Sequence, residues 1–137
     1  MNVKKRNKTA VRHGWQGEKE AYAWLLSLTS AENIRVINTL FDFTCLDTFV
    51  EVKTCQEWLT DTETGNQRTG RFTLNAKQHT KLLDARGYYL FIVLKQTYPP
   101  SIFLVSAEKM PLHKQIAWTT ALKYAEQFPA DALEEKK

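Results

Sequence analysis

The chain has 137 residues, enough for one domain with a real core, and apolar and charged fractions typical of a soluble globular protein. No apolar run approaches the roughly 20 residues that span a bilayer, and the basic start lacks the apolar stretch of a signal peptide. The net charge of +4 is uneven: Lys4, Lys5, Arg6, Lys8 and Arg12 all precede the first acidic residue, Glu18. Such an arm suits a phosphate backbone, and it suits a solubilising leader equally well. No transmembrane helix is therefore expected, and the protein is expected to be intracellular and cytoplasmic.

The chain divides into a basic arm at 1–13, a single domain at 14–130 and a charged tail at 131–137. Within the domain, Ala21, Trp24, Leu25 and Leu28 recur at helical spacing, which predicts a helix over 17–28. An extended segment follows at 33–39. Residues 40–45 and 48–54 alternate as two strands joined by a tight turn at Leu46–Asp47. The polar stretch 56–70 reads as a long loop, and RFTL (71–74) as a short strand. Asn75, with Gln78 three residues later, predicts an N-cap opening a helix to about Arg86, which Gly87 then stops. YYLFIVL (88–94) has the continuous apolar character of a strand buried on both faces. Tyr98-Pro99-Pro100 is a turn, SIFLVS (101–106) a further strand. The chain from about His113 is expected to be helical, with Ile116, Ala121, Leu122, Ala125 and Phe128 inward. The order defines a mixed α/β domain with a central sheet.

Cys45 and Cys55 lack the spacing of a zinc site, and His13, His79 and His113 are isolated in sequence, so free thiols in a reducing compartment are expected. The chemistry concentrates in LFDFTCLDTFVEVKT, residues 40–54. With a two-residue turn at 46–47, Cys45 faces Thr48, Phe43 faces Val50, Asp42 faces Glu51 and Phe41 faces Val52. Phe41, Phe43, Val50 and Val52 then share one face, and Asp42, Glu51 and Lys53 the other. A one-residue slip would mix the two sets, so the apolar pattern selects this register. Two carboxylates with Cβ atoms about 5 Å apart repel each other unless a proton or a hard divalent cation intervenes. Mg²⁺ is held by such carboxylates with water and substrate phosphate. Lys53, on the same face, is within reach of that phosphate or of the attacking water. The set suits phosphodiester hydrolysis. Asp47 is a turn former, too far along the strand to join Lys53.

Asp42 followed by Glu51-Val52-Lys53 closing an apolar strand resembles the PD-(D/E)xK nuclease superfamily. A helix with Gly17-Glu18 before the hairpin, a helix with Gln78 after it, and the strand 88–94 resemble small Holliday junction resolvases within it. The resemblance covers roughly residues 14–106, with Phe41 where a proline often precedes the aspartate. It implies a restriction endonuclease-like fold with an α-β-β-β-α-β core. It implies a Mg²⁺-dependent DNA endonuclease, with Mn²⁺ an acceptable substitute, and a homodimer if junctions are the substrate. Restriction-type or repair nucleases, an exonuclease of a virus or mobile element, and a silent nucleic-acid-binding module remain as alternatives. Asp42, Glu51 and the Val52 carbonyl would hold the metal, and Lys53 would orient or activate water. Glu18, in preference to Glu20, would add a carboxylate from the first helix, on a face shared with Ala21 and Leu25. Gln78 would sit beside the site, although Asn75-x-x-Gln78 is also a capping box in its own right. Lys77 and Lys81 could meet phosphates or simply face solvent. Trp58, Arg68 and Arg71 suggest DNA contact, with stacking by the tryptophan, or else a linker with one anchor.

Overall fold

A computed structural model describes residues 16–36, 43–111 and 114–127. The basic arm (Lys4, Lys5, Arg6, Lys8, Arg12), Asp42, His113, Phe128 and the tail 131–137 lie outside the described residues.

Helix α1 spans 16–28. The central sheet has five strands in the order β1-β2-β3-β7-β8: Ile34–Val36, Phe43–Cys45, Thr48–Gln56, Tyr88–Leu94 and Ser101–Ser106. Among the described residues only the β3–β7 pairing of this sheet is parallel, so the sheet is mixed. Between β3 and β7 the chain makes β4 (Trp58–Thr60), β5 (Gln67–Thr69), β6 (Arg71–Thr73) and helix α2 (Ala76–Asp84). After β8 come β9 (Gln115–Ala117) and the short helix α3 (Trp118–Leu122). Among the described residues no helix is long and apolar enough to cross a membrane.

The β2–β3 turn follows the register the apolar pattern selects: Phe43 pairs with Val50, Thr44 with Phe49 and Cys45 with Thr48. Leu46 and Asp47 take φ values of 51° and 65°, the paired left-handed conformation that matches the twist of a two-residue hairpin. Strand alternation then sorts the core into two layers. Phe43, Cys45, Val50, Val52, Leu90, Ile92 and Leu104 face α1 through Ala21 and Leu25. Tyr89, Phe91, Val93, Phe103 and Val105 face the opposite way, under Leu82 of α2, Phe72 of β6 and Ile116 of β9. Strand β7 contributes to both layers, which is why its sequence is apolar without a break. Phe72 and Phe91 pack with ring centroids 4.3 Å apart and tilted by 37°, and Phe103 lies 5.3 Å from Phe91, anchoring the second layer with aromatic area.

The ends of α2 are set locally. Asn75 Oδ1 accepts from the Gln78 N–H at 3.1 Å, as its sequence pattern predicts. Asn75→Ala should therefore lower stability by about 1 kcal/mol, read as a shift in the urea midpoint at constant slope. At the other end Arg86 takes the left-handed position (φ 55°) expected of Gly87. The Arg86 N–H donates to Leu83 O (3.0 Å) and the Gly87 N–H to Leu82 O (2.8 Å), the paired bonds of a Schellman stop. Gly87 is needed for room: a Cβ there would lie 2.3 Å from Leu82 Cδ1 and 2.9 Å from Phe49 O.

Two expectations are corrected. Residues 56–70 are not a loop: β3 runs on to Gln56, and β4 and β5 pair antiparallel as a hairpin arm, Trp58 with Thr69 and Thr60 with Gln67. Its tip is held by Asp61, whose carboxylate accepts from the Glu63 N–H (2.8 Å) and the Thr64 N–H (3.4 Å), before Gly65 turns the chain at φ 74°. Those two backbone bonds hold the Asp61 carboxyl below its ordinary pKa. The chain from 114 is also less helical than its periodicity suggests. Gln115–Ala117 pairs with β6, so Ile116 is buried from a strand, and the five-residue α3 buries Ala121 alone, leaving Leu122 and Ala125 exposed.

Candidate active site

The site grows from β3. Its parallel register sets Glu51 beside Tyr89 and Lys53 beside Phe91, so both polar side chains lie on the α2 face of the sheet. Glu51 is 6% exposed, and Lys53 Nζ lies 3.7 Å from its Oε1. A carboxylate this buried is costly unless a cation or hydrogen bonds compensate it. Lys53 supplies that compensation from two residues along the same strand face. Helix α2 lies over the pair, and Gln78 Oε1 accepts a hydrogen bond from Lys53 Nζ at 3.3 Å. Gln78 thus gives its backbone to the cap and its side chain to the lysine, so the two roles open to it in sequence coexist. The arrangement is a carboxylate, an ammonium and an amide oxygen converging over the middle of a central strand.

His79 was an isolated histidine in sequence; here it is 3% exposed, and its Nδ1 lies 2.8 Å from Tyr89 Oη, with the two rings stacked at 10°. Burial, and then the charge of Glu51, push the Tyr89 phenol well above its ordinary pKa. Burial holds His79 below its own. Both therefore stay neutral at physiological pH, with Tyr89 in register beside Glu51 on the neighbouring strand. The helical spacing of His79 and Leu82 was the signal available for this burial. Because the His79 pKa is lower folded than unfolded, the unfolded state takes up more protons in that window. Its contribution to stability is complete above about pH 6.5 and is lost as pH falls toward the folded value. A urea midpoint measured from pH 7.5 to 5 should fall, and His79→Gln should flatten that slope.

Of the other carboxylates proposed from sequence, Asp42 is outside the described residues, and Glu18 is exposed. The buried stripe of α1 runs through Gly17, Ala21 and Leu25, not through Glu18, because a Cβ at residue 17 would lie 1.9 Å from Thr54 Oγ1 and only glycine lets the helix approach β3 so closely. Val50, Val52 and Thr54 form that contact face, the reverse of the face bearing Glu51 and Lys53. Glu20 accepts a hydrogen bond from the Tyr98 hydroxyl at 3.3 Å. Arg68, Arg71 and Lys77 are exposed and Lys81 partly so. Trp118 packs on the second layer and donates through Nε1 to Glu57 O at 2.9 Å. Cys45 and Cys55 are free thiols that burial pushes up to about 11 and about 12, which leaves neither a nucleophile at neutral pH.

As for a metal, the donors on β3 are hard oxygens, the Glu51 carboxylate and the Val52 carbonyl, which fit a hard divalent cation that completes its shell with water and phosphate. Among the described residues no three His, Cys, Asp or Glu side chains gather to hold a metal unaided.

A mixed sheet with helices on both faces and a Glu-x-Lys pair on its central strand is the build of a metal-dependent nuclease. A family model, the PD-(D/E)XK nuclease superfamily domain, matches residues 4–127, and the chain belongs to that superfamily. Searches of curated proteins and of solved structures gave no match.

Proposed function

We propose that this protein is a Mg²⁺-dependent DNA endonuclease, with Mn²⁺ able to replace Mg²⁺, whose catalytic groups are Glu51, Lys53 and Asp42. The observation that carries this reading is the Glu51–Lys53–Gln78 cluster on the α2 face of β3. In it Glu51 and the Val52 carbonyl would hold the cation. Asp42, one residue beyond the pairing of Phe43 with Val50, supplies the second carboxylate. A metal bound there would polarise the phosphoryl oxygen and lower the pKa of its water. Lys53 faces the same phosphate and offsets the negative charge that grows on its oxygens in the transition state. Gln78 restrains the Lys53 side chain, so that less rotamer freedom is lost on the way to that state. Glu18 is proposed as an outer carboxylate, reached from the exposed start of α1. Lys4, Lys5, Arg6, Lys8, Arg12, Arg68, Arg71 and Lys77 are proposed to contact the phosphate backbone.

The substrate is proposed to be branched or otherwise structured DNA. The contacts proposed for this domain are cations toward the phosphate backbone, which favours recognition of shape. Symmetrical cleavage of a four-way junction would call for two active sites and hence a homodimer. The test is a panel of end-labelled four-way junction, blunt duplex and single strand, incubated with Mg²⁺ or with EDTA. The expected result is Mg²⁺-dependent internal cleavage, strongest on the junction and absent in EDTA. Equal cleavage of junction and duplex would remove the resolvase reading, and binding without cleavage of any DNA would remove the enzymatic one.

A further inference from the structure

The hairpin arm β4–β5 does more than extend the fold. Between it, the β7–β8 connection and the start of α1 lies an open cleft of about 900 Å³ at the far end of β3. Four glutamines line it, Gln16, Gln56, Gln67 and Gln96, together with the indole of Trp58, which is 49% exposed. The charged side chains in the lining are Lys95 and Glu57, one of each sign.

This composition discriminates between ligands. A groove that tracks phosphates is lined by cations, and here the charges cancel. Four primary amides present donors and acceptors in pairs, the pattern that matches the edges of a nucleobase. A large exposed indole beside them offers a stacking surface. A tryptophan left half in water at the wall of a polar cleft buries little on folding and gains more on covering by a flat ring. The wall is also fixed in place. Glu57 ties the root of the arm to the sheet: its N–H donates to Leu94 O at 2.9 Å, and its carbonyl accepts from the Gly70 N–H at 3.0 Å and the Trp118 indole at 2.9 Å.

We infer that this cleft binds an unpaired nucleobase, stacked on Trp58 and read at its edge by the glutamine amides. A base inside a duplex has its faces covered by neighbours and its pairing edge occupied, so the cleft selects a strand with unpaired nucleotides. Gln56 follows Lys53 by three residues on β3, about 10 Å at the rise of a strand. It sits on the α1 side, so the base bound here belongs to a nucleotide near the cut rather than to the one being cut. The inference rests on the nuclease reading for its purpose and is tested without it.

The probes are a fluorescein-labelled twelve-nucleotide single strand, the same strand with abasic sites, and a blunt duplex. Each is titrated with full-length protein in EDTA at one fixed salt concentration. Single strand should quench tryptophan emission in the wild type and not in Trp58→Phe, which keeps an aromatic ring and most of the affinity. Trp58→Ala should lower the ratio of single-strand to duplex affinity by about 5- to 150-fold, the range that loss of one stacked base implies. The abasic strand should bind the wild type correspondingly weakly. Gln67→Leu or Gln96→Leu, both at exposed positions, should alter the preference among oligo-dA, oligo-dT and oligo-dC. An unchanged ratio in Trp58→Ala, or an abasic strand bound as tightly as the normal one, would overturn the inference. Absence of cleavage by wild type in Mg²⁺ would instead count against the nuclease reading and leave this titration standing.

Discussion

Replacing Lys53 with alanine is expected to slow cleavage of labelled DNA in Mg²⁺ by about 10²–10³-fold, with the loss in kcat rather than in KM. The reason is position. Lys53 Nζ is held between Glu51 Oε1 at 3.7 Å and Gln78 Oε1 at 3.3 Å. In the proposed mechanism it faces the developing charge and contributes little to ground-state binding, which that mechanism assigns to the exposed arginines and lysines. Glu51→Gln should be at least as damaging, since a neutral amide is a poor ligand for a hard cation, and raising Mg²⁺ should recover part of its activity but none of that lost in Lys53→Ala. Gln78→Ala should fall between wild type and Lys53→Ala. Asp47→Asn, at the left-handed turn position, is the control expected to cleave normally. The measurement is single-turnover cleavage at saturating protein. Normal rates in Lys53→Ala would reject the assignment of the site.

The second large effect is on stability. A Cβ on Gly70 would lie 1.6 Å from the carbonyl oxygen of Gln56 and 2.8 Å from its carbonyl carbon. Both are backbone atoms, so no rotamer change relieves the overlap. Gly70 also donates to Glu57 O at 3.0 Å, and its own carbonyl accepts from the Trp118 N–H at 3.1 Å. Three segments thus meet at one glycine: the end of β3, the root of the arm and the start of α3. Gly70→Ala is expected to cost about 2–3 kcal/mol, at the upper end for overpacking, measured from the urea midpoint. Gly17→Ala should cost less, although its contact distance is also short, because the obstructing Thr54 Oγ1 belongs to a side chain that is able to turn away. Equal losses in the two variants would refute this distinction between backbone and side-chain obstruction.

What the sequence made legible follows from where one face is apolar and the other is not. The β2–β3 register could be read because any slip would have buried Glu51 and Lys53 with Phe43 and Val50. Strand β7 could be read because both of its faces are covered. The α2 cap could be read because Asn75 and Gln78 act within four residues. The arm at 58–69 was hidden because both its faces meet solvent or the polar cleft, so Trp58-Leu59-Thr60 and Gln67-Arg68-Thr69 carry no apolar alternation. Gly65-Asn66 between them was the one turn signal. Strand β9 was hidden because its three residues pair with β6, a partner more than forty positions away in sequence, which no local window contains. The stripe of α1 was misplaced by one residue because Gly17 has no side chain to count as apolar, although it makes the closest approach. His79 and Tyr89 were missed as a pair because their contact depends on the packing of α2 over β7.

The single parallel pairing in the central sheet has a temporal meaning. Glu51 and Lys53 leave the ribosome early, yet the strand that supports them, Tyr88–Leu94, is more than thirty residues behind, and Gln78 lies on the connection between. Contacts so distant along the chain form late, after a long segment has been closed into place. A growing polypeptide therefore carries Glu51 and Lys53 without their supporting strand until synthesis has passed Leu94, and the cluster with Gln78 is assembled only after that point.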